Sequence, residues 1–156
     1  MRASVPGDLF RVLARRYVRV SLFYLCLGLL LGAAMMYFGN DNFQFVHTHG
    51  LLVGFVLFAA YGAGFGWIGG KADAGPLRGV SPAAAGVQFY LANAGLIGML
   101  IGSVLPVGLG LDRVGALFGI LEAAAGILFA LLLGRTLKQS RDPQKGTLLQ
   151  NDGKGT

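Results

Sequence analysis

Cysteine, histidine and charge are all scarce in this chain. Cys26 is the single cysteine in 156 residues. It lies inside an apolar run, which excludes an internal disulfide and makes it read as a small core hydrophobe. Charged residues are 13% of the chain and hydrophobic ones 54%. That is roughly half the charged share of about 25% found in a soluble domain, so an ordinary water-soluble fold is excluded. Nucleotide-binding glycine motifs, a catalytic triad and paired carboxylates are missing too, and no self-contained active site can be read. The two histidines, His47 and His49, are too few for a zinc or copper centre of three or four nitrogen ligands.

What the chain does have is long apolar runs. They cover residues 18–38, 43–68, 82–105 and 113–134, each long enough to cross about 30 Å of hydrocarbon as a helix. The class is therefore all-α, an integral membrane bundle of four helices, because lipid satisfies no open backbone group. Asn40, Asp41 and Asn42 offer caps before the second span. Ser81-Pro82 reads as the N-cap and first residue of the third. Pro106, Gly108 and Gly110 end the third, and Asp112 offers a cap for the fourth. The first apolar run is longer than the ~7–15 residues of a signal-peptide core, so it is expected to stay as an uncleaved helix.

Of the thirteen Lys and Arg residues, twelve fall on one side of a four-span chain: before the first span or at its very start (Arg19), between the second and third, or after the fourth. Only Arg113 lies on the other side. The positive-inside rule then places both termini in the cytoplasm. It also accounts for the net charge of +6 without nucleic acid. Residues 1–17 form a basic N-terminal cytoplasmic segment, in which Asp8 to Arg19 reads either as an amphipathic helix on the inner leaflet or as the start of the first helix. The bundle occupies 18–136. The polar tail 137–156 is expected to be disordered.

Glycine is abundant, with 26 residues, and much of it recurs every fourth position. Gly28 and Gly32 lie on the first helix, and Gly50, Gly54, Gly62, Gly66 and Gly70 on the second. Ala94, Gly98 and Gly102 lie on the third, and Gly115, Gly119 and Ala123 on the fourth. Such rows let helix backbones approach closely. Gly50 and Gly54 fall on the His47 face, where they would leave room for a flat, bulky group.

Polar residues inside hydrocarbon need a reason. Gln44 and Gln88 sit near span ends, within reach of water or headgroups. Asn93 is mid-span and is expected to bond to a neighbouring helix. Glu122 is the only acid within a span, at a depth similar to that of His49. It reads equally as a partner fixing an imidazole tautomer and as a protonated acid bonded to a backbone carbonyl. His47 and His49 differ by two positions, about 200° around a helix, so they point to different faces. One imidazole per face is the arrangement that a haem iron uses; hydrogen bonding at the membrane interface is the plainer alternative.

The run His47-Thr48-His49-Gly50-Leu51-Leu52-Val53-Gly54-Phe55-Val56 resembles the start of the second helix in subunit I of haem-copper oxidases and nitric oxide reductases. Gln88-Phe89-Tyr90-Leu91-Ala92-Asn93-Ala94-Gly95-Leu96-Ile97-Gly98-Met99 resembles the third helix of small four-helix relatives of that subunit. The likeness covers the middle two helices by sequence and the outer two by length and position. It implies b-type haem held by His47 or His49, Glu122 and Asn93 as outer partners, and electron transfer or sensing in respiration, in a bacterial-type inner membrane. The chain departs from the pattern in having no histidine near Leu91 to Asn93 and none for an oxygen-reducing haem-copper centre. A bis-histidine haem then needs a homodimer or a respiratory-complex partner. Two other classes stand beside this one. One is a structural or assembly subunit without a cofactor, and the other is a metal-handling protein using the His-x-His mouth.

Overall fold

A computed structural model of the chain describes residues 6–75, 77–104 and 111–141. Among them there is no strand, only four long helices: α1 (Pro6–Phe38), α2 (Gln44–Ala74), α3 (Pro82–Val104) and α4 (Leu111–Arg141). Each is long and apolar enough to cross a membrane, so this is a multi-pass membrane protein. Their outward faces carry large apolar side chains such as Leu30, Phe23, Tyr90, Ile120 and Ile127, as suits a lipid solvent.

The helices begin and end for local reasons. Gly39 takes φ +59, and the Asn40 N–H donates to the Met35 carbonyl at 3.2 Å. This glycine-based cap closes α1. Asn40 does not cap α2. Its side chain accepts from the Asn42 N–H at 2.8 Å, tightening the turn, and α2 starts without a side-chain cap. Ser81 does cap α3, its hydroxyl accepting from the Ala84 N–H at 3.4 Å. Asp112, expected as the cap of α4, is already its second residue, while the expected α3 terminators Pro106, Gly108 and Gly110 lie outside the described residues.

Helices extend past the expected spans at both ends of the chain. The helix α1 starts at Pro6, ahead of the span expected from 18, and Phe10, Leu13 and Tyr17 are buried. The basic start is thus the first turns of α1, packed into the bundle, rather than a helix lying apart on a membrane surface. The helix α4 continues to Arg141; the rest of the expected tail lies outside the described residues.

The helices form two hairpins, α1 with α2 and α3 with α4, each packed more extensively than the hairpins pack on each other. Small residues set the approach within each. In the first, a Cβ on Gly28 would lie 2.7 Å from Leu51 Cγ, and one on Gly32 would lie 2.6 Å from His47 Cε1. In the second, a Cβ on Gly95 would meet the Glu122 backbone at 2.7 Å, and Gly102 lies against Gly115. The α3 row is therefore Gly95, Gly98 and Gly102, with Ala94 exposed. Between the hairpins sits an aromatic core centred on Tyr17, whose ring meets Phe58, Tyr61, Phe65 and Phe89. The end holding the start of α1 and the close of α4 is laced by an Arg11–Asp73 ion pair. There Arg135 also donates to the Gly79 carbonyl at 2.9 Å.

Candidate functional site

Both histidines lie in the first turns of α2, just before a π-helical stretch at Gly50–Leu57. Bonds from i to i+5 are rare in helices and concentrate at functional sites. The glycines four apart along α2 do not all make the same contact. Gly54, Gly62 and Gly66 face α1, whereas a Cβ on Gly50 or Gly70 would meet nothing within 4 Å. The room expected beside Gly54 is filled, since its missing Cβ is replaced by the ring of Tyr24.

The two imidazoles face different cavities, as two positions along an α-helix dictate. His47 turns to α1. Its ring lies over Gly32, and Nδ1–H donates to the Gly28 carbonyl at 2.8 Å. A carbonyl only accepts, so Nδ1 carries the proton and, in the neutral ring, Nε2 keeps the lone pair. This histidine borders a cavity of 780 Å³ between the close of α1 and the start of α2.

His49 turns the other way. Its Nδ1–H donates to the Phe45 carbonyl at 3.1 Å, and its ring stacks on Phe45 at 3.8 Å between centroids. The same tautomer argument leaves Nε2 as its free nitrogen. His49 borders a groove of 460 Å³ between α2 and α4, lined mainly by apolar and small side chains. Gly119, Ala123 and Gly126 form a low wall on α4, and Met99 closes the groove from α3. A Cβ on Gly119 would be 3.8 Å from Met99 Sδ.

Glu122 borders that same groove, as its similar depth suggested. It is buried, at 8% exposure, and neither carboxyl oxygen has a partner. Neither expected bond is made: Glu122 pairs with no imidazole and with no backbone carbonyl. The buried Tyr61 hydroxyl also lacks a partner and lies beside Gly126. An unpaired polar group in an apolar interior is costly, so both groups are open to a polar atom entering the groove.

Two readings of polar residues change. Gln88 is fully buried rather than near water, because α1 reaches down past it; the Tyr17 hydroxyl donates to its Oε1 at 2.6 Å, and its Nε2 has no partner. Asn93 bonds within its own helix, Nδ2 donating to the Phe89 carbonyl at 2.8 Å. Gln44 is exposed and borders the larger cavity. Tyr17, Tyr61 and Met99 were missed in the sequence. Tyr17 was legible: Phe10, Leu13, Tyr17 and Tyr24 follow the three-or-four spacing of one helix face. Nothing local marks Tyr61 or Met99, whose roles depend on which helix faces them.

Among the described residues, no group of three or more His, Cys, Asp or Glu side chains is placed to hold a metal ion. Comparison with family models, with curated proteins and with solved structures finds no match for this chain.

Proposed function

We propose that this protein binds b-type haem in the groove between α2 and α4, with His49 Nε2 as the axial ligand, for electron transfer or sensing in a respiratory membrane. The observation that carries this reading is the setting of His49. Its Nδ1 is tied to a backbone carbonyl, its Nε2 is free, and the groove it borders has a wall of small residues. Haem-ligating and metal-ligating histidines are oriented by such a bond on the other ring nitrogen.

The residues present fit a haem held by one imidazole of this chain. Gly119, Ala123 and Gly126 offer a surface without bulk, and Val53 and Leu57 exclude water. Met99 borders the same groove, and its thioether would be a second group of this chain able to hold the iron. A second copy of the chain, or a subunit of a respiratory complex, is the alternative source of that ligand. Bound haem would supply a one-electron redox centre. Tyr61 and Glu122 would meet its polar edge, which gives their unpartnered atoms a use. In this reading the protein sits in a bacterial-type inner membrane, with the basic end and both termini in the cytoplasm.

His47 has a different part. Its ring is wedged against Gly32 and bonded to Gly28, so it clamps α1 to α2. The test is the reduced-minus-oxidised visible spectrum of the detergent-purified protein, expressed with haem supplied. A sharp Soret band that disappears in His49→Ala and survives in His47→Gln is expected. A colourless wild-type protein overturns the reading and favours the structural or assembly role.

A further inference from the structure

Each histidine shares its cavity with methionine. The chain has four methionines. Met99 borders the groove with His49, while Met35 and Met36 border the other cavity with His47. This second cavity is separate from the proposed haem groove and uses the other histidine.

The register of α1 explains the pairing. Residues three and four beyond a helical position straddle it one turn further on. Met35 and Met36 stand in that relation to Gly32, over which the His47 ring lies. A Cβ on Gly32 would be 3.0 Å from Nδ1 and 3.4 Å from Nε2 of His47. Nδ1 is turned back toward Gly28, one turn before Gly32, and is occupied by its carbonyl. Nε2 is left free, and the two thioethers stand one turn further along α1, with Met36 at 87% exposure unheld by packing and able to swing to an ion. The cavity's remaining polar side chains are Asp41, Gln44 and Thr48.

We propose that His47, Met35 and Met36 form a binding site for monovalent copper. The donor set decides the metal. Two thioethers and one imidazole are soft and neutral, and such ligands select Cu(I), whereas Mg, Ca and Mn prefer carboxylate, carbonyl and water oxygens. Three donors suffice for Cu(I), which does not demand the fourth ligand of a structural zinc site. The ring is already oriented by its bond to Gly28, as metal-bound imidazoles are. A flexible, unbranched Met side chain closes on an ion without backbone movement. The His-x-His pair does not make this site, since His49 faces the other groove.

The test is anaerobic titration of the full-length protein in detergent, with Cu(I) presented in complex with the chromogenic chelator bicinchoninate. The wild type is expected to withdraw one equivalent of copper, and His49→Ala to do the same. The double variant Met35→Leu, Met36→Leu keeps the apolar volume and is expected to bind about tenfold more weakly or worse, since removing even an outer partner of a metal ligand costs that much. His47→Gln can still donate to the Gly28 carbonyl, which keeps the helix pair together, and should weaken binding likewise. X-ray absorption of the loaded protein should report sulfur and nitrogen neighbours. Failure of the wild type to compete, full binding by the double Met variant, or a copper shell of oxygen and nitrogen alone would each overturn the proposal. Loss of copper in His49→Ala would place the site in the other groove and overturn it as well.

Discussion

Gly32 and Gly50 are the same residue in opposite surroundings. A methyl added at Gly32 would sit 2.6 Å from His47 Cε1, while one at Gly50 would touch nothing within 4 Å. Gly32→Ala must push the imidazole away and break its bond to Gly28, an overpacking cost of about 1–3 kcal/mol. Gly50→Ala gains helix propensity, up to about 1 kcal/mol toward stability. Thermal unfolding in detergent should thus move in opposite directions for the two variants. Equal losses would mean that the His47 ring does not occupy the Gly32 notch. The sequence placed all these glycines in rows but did not tell them apart, because a row states spacing and not what stands opposite. Gln88 makes the same point. It reads as a residue at a span end, yet it is buried under Tyr17. Hydropathy along one helix carries no record of a neighbour that extends past it.

At the scale of the element, α2 is where the sequence reads least well. Its start and its two-faced histidines were legible from composition and the 100° step of an α-helix, whereas it runs six residues past the expected end at 68, to Ala74. The π-helical stretch Gly50–Leu57 was not, since its residues are ordinary helix formers and the extra residue per turn leaves no mark in their types. Leu52 lies in that stretch and is 61% exposed, so its deletion removes little packing. The wider turn takes up about one extra residue, so taking Leu52 out should return the segment to α-helical bonding and leave the His47 turn aimed as before. His47 then keeps its bond to Gly28. His47→Ala should lower the unfolding temperature in the full-length background and equally in the Leu52 deletion. Loss of that effect in the deletion would show that the segment does not revert and that the histidine has been turned away from α1.

Across the whole molecule, charge and packing are separated along the helix axes. One end gathers the ion pair Arg11–Asp73 and the Arg135 bond to the 75–81 connection, where Gln139 also holds the Arg78 backbone. The other end carries the turn at 39–43, the cavity that His47 borders and the His49 end of the groove, which runs on to mid-helix at Tyr61 and Gly126. Four spans and the clustering of cations were legible in the sequence because lipid imposes length and apolarity on each helix independently. The pairing of α2 with α4 across a groove was not, because it depends on small residues of two distant segments leaving space together. If the basic end faces the cytoplasm, as the positive-inside rule requires, both histidines lie toward the outer side. Replacing Cys26 with Ser and introducing Asn42→Cys or Ser81→Cys tests this in intact cells. A membrane-impermeant maleimide should label position 42 directly and position 81 only after the cells are opened. The reverse pattern would turn the molecule over. It would place the proposed copper and haem sites on the reducing side of the membrane, where Cu(I) is drawn from a different supply and electrons enter from the other face.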